Sequence, residues 1–312
     1  MIDNRSNLIC PSCYGEIEPH DNDMECLKCH KKYDIINGIP IMVNEESCGE
    51  NKDMNQFRED IHIKNNVRNL YSNEANKLNS RIYGRFSMFM NNGYIANENK
   101  QYAKFELKNN IYQKNSVKLL LEVIGNIDCN NKQIIEIGCG RGGNIYYINS
   151  FFKPQLVVGI DLCIENLSFC NKKKLPNTTF YVADAERIPF ASESFDIAVN
   201  IESSIHYPSI MEFFNNIYRI LKKGGYFLYT DILSIQKFEL LRKGFIELGF
   251  EIIRDQNITS NTLLSIESTK ARNLNYTDGM NENLFLNFFS NQLYKNMIYG
   301  KDESHIIVLK KI

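Results

Sequence analysis

The spacing of apolar residues changes character at about Asn131. Beyond this point, short apolar runs alternate with stretches whose apolar residues recur every three or four positions. The runs cover residues 134–137, 157–160, 180–183, 197–201, 226–230, a segment beginning at 250, and 306–309. Such alternation of strand and helix is typical of a parallel sheet covered on both faces, so the pattern predicts an α/β domain.

Two apolar helical faces flank the fifth predicted strand. The first consists of Ile210, Phe213, Phe214, Ile217, Ile220 and Leu221, and Gly224-Gly225 follows as the predicted end of that helix. The second consists of Phe238, Leu241, Phe245 and Leu248. Both faces are interpreted as core packing rather than as parts of a site.

The first 130 residues follow a different pattern. Residues 1–45 place short β-forming stretches between turn residues and have too few apolar side chains for an unaided core. Residues 46–70, rich in Asn, Glu and Lys, are predicted as a linker running into a polar helix, and residues 71–125 as a helical cap. The core is placed at 126–258, and substrate-pocket helices with a last strand at 259–312.

Composition and charge narrow the function classes. The 312 residues are 43% hydrophobic and 23% charged, with a formal net charge of -1. A protein whose main ligand is nucleic acid usually carries a basic excess, so nucleic acid is disfavoured. No apolar run is long enough to span a bilayer, and the first residues lack an apolar signal core, which favours a cytoplasmic protein.

A glycine-rich turn follows the first predicted core strand. Gly138, Gly140 and Gly143 let the backbone turn sharply and approach a ligand closely. Asp161, eighteen residues beyond Gly143, ends the next strand, where its carboxylate can accept hydrogen bonds from ribose hydroxyls. The glycine spacing also satisfies the nicotinamide dehydrogenase pattern, so an NAD-dependent oxidoreductase stays open.

The segment from Gln133 to Asp231 resembles class I methyltransferases, which use S-adenosylmethionine (SAM). The resemblance rests on Glu136-Ile137-Gly138-Cys139-Gly140, on residues 183–190 with Ser194-Phe195-Asp196, and on residues 221–227, in the family's order and spacing. It implies a Rossmann-like class I methyltransferase sheet of seven strands with a helical N-terminal cap.

The same resemblance implies a set of cofactor-binding residues. They are Glu136 for the methionine end, Gly138 and Gly140 in the turn, Asp161 with its neighbour Leu162, Asp184 and Ala185 for adenine, and Asn200 for the sulfonium side. The residues alone leave two alternatives open, since Asp184 could cap the following turn and Asn200 could satisfy a strand end.

A histidine lies on the loop that borders cofactor and acceptor in this fold. A hydroxyl acceptor must lose a proton as it is methylated, and a side chain that titrates near neutral pH suits that task. His206 is therefore predicted as the catalytic base, with Tyr207 beside it as a substrate-binding residue. The alternative is that the His206 ring packs and bonds a neighbouring carbonyl.

Three further segments, residues 89–94, 202–208 and 258–263, resemble methyltransferases of the phthiotriolone type, which O-methylate polyketide-derived lipids. This implies O-methylation of a small natural-product acceptor, free or bound to a carrier protein. It also implies that Tyr94 closes over the cofactor, with plain helix packing as the alternative. Asn91-Asn92-Gly93-Tyr94 stands where that family has Asn-Tyr-Gly-Tyr, which departs from its pattern.

Two cysteine pairs mark the N-terminal segment. Cys10-Pro11-Ser12-Cys13 and Cys26-Leu27-Lys28-Cys29 have the spacing of two knuckles that close on one tetrahedral Zn²⁺, and so predict a small zinc ribbon. The segment is similar to the ribbon of the small activator subunit shared by several tRNA and protein methyltransferases. That similarity implies a docking module for a protein partner, with stabilisation of the enzyme itself as the alternative.

The combined prediction is a SAM-dependent methyltransferase acting on a natural product. Three other functions stay open. An RNA methyltransferase is one, because a related ribbon precedes the catalytic domain of some ribosomal RNA methyltransferases. A scaffold that acts through its ribbon and a nicotinamide-dependent oxidoreductase are the others.

Overall fold

The structure is a computed structural model that describes residues 7–43, 54–81, 84, 86–96, 107, 111–275 and 292–312. Parts of several predicted regions lie outside the described residues. These are residues 1–6, 44 and 45 of the ribbon, 46–53 of the linker, most of 97–110 in the cap, and 276–291 of the pocket helices.

One mixed sheet organises the core, and it contains all seven predicted core strands. They are β5 Gln133–Ile137, β6 Leu156–Asp161, β7 Thr178–Ala183, β8 Phe195–Ile201, β9 Leu221–Ser234, β10 Phe250–Asn257 and β11 Asp302–Lys311. Their spatial order is β7-β6-β5-β8-β9-β11-β10, and β11 is antiparallel to both of its neighbours. This reversed strand distinguishes the sheet from the dinucleotide-binding sheet of order 3-2-1-4-5-6.

Helices cover both faces of the sheet. They are α2 Lys114–Ile124, α3 Gly143–Phe151, α4 Ile164–Asn171, α5 Ile210–Ile220, α6 Ile235–Glu247 and α7 Thr259–Asn275. Phe213 and Phe214 of α5 and Phe245 of α6 are fully buried on one face, as the apolar pattern predicts. Among the described helices, none is both long and apolar enough to cross a membrane.

The end of α5 differs from the prediction. The helix stops at Ile220, and β9 already begins at Leu221, so Gly224-Gly225 lie inside the strand instead of ending the helix. The pairing of β8 with β9 jumps from Phe195↔Leu221 to Ile197↔Tyr226, which accommodates the extra residues as an irregularity. Gly224, at φ 78°, supplies the left-handed conformation that this irregularity needs.

The N-terminal strands extend the same sheet. They are β1 Ile17–Pro19, β2 Asp23–Cys26, β3 Lys32–Ile36 and β4 Ile39–Met42. Strand β4 pairs in parallel with β7 through Ile41↔Val182 and Met42↔Ala183. The segment predicted as a ribbon therefore continues the sheet past β7 and covers what would otherwise be an exposed edge.

A long helix replaces most of the predicted linker. Helix α1 runs from Met54 to Asn79, so residues 54–70 are helical rather than extended connecting chain. The polar helix expected at the end of the linker therefore begins earlier than predicted, and it faces the protein with polar side chains. Lys64 and Tyr71 form hydrogen bonds to residues of the core, and Glu74 and Ala75 are buried.

Candidate active site

A cleft opens where β5, β6, β7 and β8 end, with helix α1 as its opposite wall. It encloses about 990 Å³, counted out to its open mouth. Nine predicted site residues line it: Glu136, Gly138, Gly140, Asp161, Leu162, Asp184, Ala185, His206 and Tyr207. Parallel strands bring their carboxyl ends to one edge of the sheet, so residues distant in sequence meet here.

The glycine-rich turn has no room for a side chain at Gly138. Gly138 has a φ of 68°, and a Cβ at this residue would lie 2.0 Å from Ser203 Oγ. Asp161 holds the turn from the neighbouring strand, since its two carboxylate oxygens accept hydrogen bonds from the backbone N–H groups of Gly140 and Cys163, each at 2.8 Å. Burial raises the pKa of Asp161 above its usual value.

Glu136 is buried beside this turn with only half of its carboxylate satisfied. Oε1 accepts a hydrogen bond of 2.6 Å from Asn144 Nδ2. Oε2 of Glu136 and Oδ1 of Asn144 have no hydrogen-bond partner in the described part of the chain. Burial raises the pKa of Glu136 to about 8. The two oxygens can therefore accept hydrogen bonds from an ammonium group of a ligand.

Asp184 begins the turn at the end of β7, where adenine binding was predicted. Its Oδ1 accepts a hydrogen bond of 2.9 Å from the backbone N–H of Glu186, so Asp184 does cap the turn. Lys64 of α1 places its Nζ 2.6 Å from Asp184 Oδ2 and 2.6 Å from Glu186 Oε2. Helix α1 is thus bound to the strand ends by an ion pair that the linker prediction did not foresee.

Two predicted cofactor residues, Tyr94 and Asn200, are not among those that line the cleft. Asn200 is fully buried and donates from Nδ2 to the carbonyl of Ile137, at 2.9 Å, and towards Tyr207 Oη, at 3.2 Å. Tyr94 is buried in the hydrophobic cluster on the α2 side of the sheet. Both positions match the packing alternatives for these residues.

His206 faces the cleft and is held by helix α1. Its Nε2 lies 2.9 Å from Tyr71 Oη, and the two rings meet edge to face. Burial lowers the pKa of His206, so the imidazole is neutral at pH 7 and can accept a proton. Tyr207 is anchored from behind, with its Oη 2.7 Å from Ser203 Oγ.

Glu202 is a cleft residue that the sequence analysis did not single out. Oε2 accepts hydrogen bonds from the backbone N–H and the Nδ2 of Asn92, at 2.8 and 2.7 Å. Oε1 is buried without a partner among the residues that the structure describes, and burial raises the pKa of Glu202 to about 7. Its φ of 48° is unusual for a residue other than glycine, as is common at functional sites. The sequence signal that could have identified Glu202 as a cleft residue is its position directly after strand β8.

Arg141 fastens the segment after helix α1 to the glycine-rich turn. Its fully buried guanidinium donates to the carbonyls of Ser87 and Gly84, at 2.7 and 2.9 Å, and to Asn79 Oδ1, at 2.9 Å. It also lies 3.7 Å from the centre of the Phe169 ring. One side chain therefore joins the turn to the segment above it.

The four cysteine sulfurs of the N-terminal segment converge. They lie within 4.8 Å of one another, with Cys10 and Cys29 3.7 Å apart and Cys13 and Cys26 3.4 Å apart. None of the described cysteines forms a disulfide. Thiolates on a tetrahedral metal with bonds of about 2.3 Å stand roughly 3.8 Å apart, so this arrangement matches a four-sulfur centre. The backbone N–H groups of Ser12 and Cys29 point at two of the sulfurs.

Sequence comparison matches residues 135–229 to the family model described as a methyltransferase domain. A fatty-acid O-methyltransferase from Mycolicibacterium smegmatis is 30% identical over 54% of this chain and 57% of its own length. A phthiotriol/phenolphthiotriol dimycocerosates methyltransferase from Mycobacterium tuberculosis is 38% identical over 34% of this chain and 40% of its own length. The chain thus spans about half the length of these relatives.

Solved structures show the same fold over most of the chain. The [4+2]-cyclase SpnF superposes with a TM-score of 0.60 at 18% identity, covering 78% of this chain and 94% of SpnF. The geranyl diphosphate C-methyltransferase of Streptomyces coelicolor A3(2) gives 0.59 at 14% identity, covering 80% and 98%. The chain therefore has the Rossmann-like α/β fold of methyltransferases, and the match to the methyltransferase-domain model lies at residues 135–229 of this fold.

Proposed function

We propose that this protein transfers a methyl group from SAM to a hydroxyl of a lipid or other natural product. The observation that carries the proposal is that three adjacent strand ends, those of β5, β6 and β7, bring Glu136, the glycine-rich turn, Asp161 and Asp184 into one cleft. The named relatives act on fatty acids and on phthiotriol lipids, which supports a lipid-type acceptor.

The residues present fit the cofactor. The unpartnered oxygens of Glu136 and Asn144 suit the ammonium of its methionine portion, and Gly138 and Gly140 bring the backbone of the turn to the wall of the cleft. Asp161 would accept from the ribose hydroxyls, and Asp184 with Ala185 would hold the adenine. When bound, SAM supplies a methyl group already activated by its sulfonium, so the protein mainly has to align the acceptor and exclude water.

Two groups of the cleft can take the acceptor's proton. His206 is neutral, and Glu202 presents a buried oxygen without a partner in the described chain. We assign proton removal to His206 and hydrogen bonding of the acceptor hydroxyl to Glu202. Tyr71 of helix α1, hydrogen-bonded to Nε2, orients the His206 ring from the opposite wall of the cleft. Tyr207 borders the acceptor.

The four-cysteine centre is proposed to hold a structural Zn²⁺. Four thiolates fill a tetrahedral coordination shell, so no position is left for a catalytic water. A zinc content of one per chain by mass spectrometry of the purified protein would support this, and a protein folded with reduced, metal-free cysteines would contradict it.

The decisive experiment has two stages. The first is calorimetric titration of the purified protein with S-adenosylhomocysteine (SAH), with NADH as the control ligand. The second incubates the protein with labelled SAM and a panel of fatty acids and hydroxylated lipids, comparing wild type with His206→Gln and Glu202→Gln. Turnover reduced about 100-fold in His206→Gln with SAH affinity unchanged supports the assigned base. Binding of NADH but not SAH would overturn the proposal.

A further inference from the structure

The N-terminal segment holds both ends of the turn that leads from β7 to β8. At the start of this turn, β4 pairs with Val182 and Ala183, the two residues directly before Asp184. At its end, the backbone N–H of Ile9 donates to the carbonyl of Pro189 at 3.0 Å, and Leu8 forms a β-bridge with Phe190. Residues 183–190 are therefore clamped between two parts of the ribbon.

A side chain connects the middle of this turn to the cysteine knuckle itself. Arg187 Nη1 donates to the carbonyl of Pro11 at 3.2 Å, and Pro11 follows the metal-site residue Cys10 directly. Arg219 supports the same turn from α5. It donates to the carbonyl of Ile188 at 2.8 Å, and its guanidinium lies 5.3 Å from the centre of the Tyr14 ring.

The hydrophobic contacts are continuous across the junction. Cys10, Cys26 and Tyr33 of the ribbon belong to the same buried cluster as Ala185, Ile188 and Phe190 of the turn. Two of the sulfurs that would bind metal are thus packed into the core beneath the adenine-binding turn. A shift of the cysteine knuckles would therefore also shift residues 183–190, because packed interiors deform little.

We propose that the ribbon is a positioning element of the cofactor site, such that metal binding by the four cysteines and cofactor binding by Asp184 and Ala185 strengthen each other. This inference rests on the proposed function. The metal fixes the knuckles, the knuckles fix residues 183–190, and those residues hold the adenine end of the ligand. Coupling between two binding sites is reciprocal, so each ligand raises the affinity for the other by the same factor.

The test uses the full-length, zinc-loaded protein and SAH. Zinc transfer to a chromophoric chelator is timed with and without saturating SAH, and hydrogen exchange is followed in peptides spanning residues 181–191. We expect SAH to slow zinc transfer about tenfold, within the usual range for coupled sites. In a calorimetric titration, we expect the metal-stripped protein, checked for folding by circular dichroism, to bind SAH about tenfold more weakly and to exchange faster over the same peptides.

Variants separate local coupling from general stabilisation. Arg187→Ala removes the hydrogen bond to Pro11 and should lose most of the protection of zinc by SAH. Arg242→Ala removes an arginine bound to Asp255 of β10, at the opposite edge of the sheet, and this variant should keep the protection of zinc by SAH. Zinc transfer that is equally fast with and without bound SAH would overturn the inference. So would equal protection in wild type and Arg187→Ala, since SAH would then act through global stability alone.

The outcomes for this inference and for the proposed function are distinct. Failure of the zinc-loaded protein to bind SAH would contradict the proposed function. SAH binding that leaves the rate of zinc transfer unchanged would contradict only the coupling between the two sites. If removal of the metal unfolds the chain, the coupling is still tested by the zinc-transfer rates and by the comparison with Arg187→Ala, because both measurements begin from the zinc-loaded protein.

Discussion

The two walls of the cleft are built on different principles. The strand wall places Glu136, Asp161 and Asp184 at the ends of parallel strands, where the backbone fixes their positions. The helix wall is α1, which reaches the cleft through long side chains such as Lys64 and Tyr71. The strand wall is thus set before a ligand arrives, whereas the helix wall depends on side-chain contacts that a ligand can replace.

Loss of Arg141 should have the largest effect, because this residue joins the glycine-rich turn to the chain that follows α1. Arg141→Met leaves the buried carbonyls of Ser87 and Gly84 without their donor. We expect the free energy of unfolding to fall by about 4 kcal/mol. Chemical denaturation measures it, with the exposed Lys172→Met as control. A loss no greater than in the control would show that the segment does not depend on this residue.

Loss of Asp161 should damage the strand wall and little else. Asp161→Ala removes the acceptor proposed for the ribose and the one that holds the Gly140 turn. SAH affinity should fall about 100-fold, as two hydrogen bonds to a charged group imply. Calorimetry measures it, and Asp128→Ala, an exposed aspartate distant from the cleft, is the matched control. SAH affinity that is unchanged in Asp161→Ala would show that the strand wall does not bind the cofactor.

The pH dependence of SAH binding should report on Glu136. In the free protein its pKa is about 8, whereas an ammonium ligand favours the ionised carboxylate. The ionised fraction rises with pH, so SAH should bind about fivefold more tightly at pH 8 than at pH 7. Glu136→Gln should bind more weakly and lose this rise. Isothermal titration at both pH values decides, and an affinity that falls between pH 7 and 8 would contradict the assignment.

The smallest effect is expected at the helix wall. Lys64→Met removes the ion pair to Asp184 and Glu186, so hydrogen exchange in residues 59–79 should become about fivefold faster. SAH affinity should change less than tenfold, since the backbone at the strand ends keeps its geometry without Lys64. Lys77→Met, at an exposed lysine of the same helix, is the control. A loss of SAH affinity as large as in Asp161→Ala would show that the helix wall contributes as much to cofactor binding as the strand wall does.

The difference between the walls also explains which parts of the molecule could be predicted from sequence. The strand periods are local, so the seven core strands and the turn at Gly138 could be placed within a few residues. A polar helix was expected after the linker, but its early start and its contacts were not, since no local pattern shows that Lys64 meets the carboxylates of Asp184 and Glu186. Glu202 was missed because an acid at a strand end is common, and its burial appears only when Asn92 packs on it.

The cofactor roles that the resemblance implies for Tyr94 and Asn200 stay predictions. Neither side chain lines the cleft, and Asn200 donates through Nδ2 to the Ile137 carbonyl while its buried Oδ1 has no partner in the described chain. Hydrogen-bond partners of buried amides depend on packing, which a motif does not encode. The cysteine spacing was a better guide to position, because two tight knuckles restrict the geometry closely and the four sulfurs do converge.

The parallel pairing of β4 with β7 also has a consequence for the order of folding. Ile41 of β4 can pair with Val182 of β7 only after Val182 has been synthesised, 141 residues later. At typical translation rates of about 5 to 20 residues per second, the interval is roughly 10 to 30 s. During that time the ribbon strands have no sheet to join, and only their own knuckles can hold them together. The sheet edge formed by β4 is therefore completed only after the chain has been synthesised past β7.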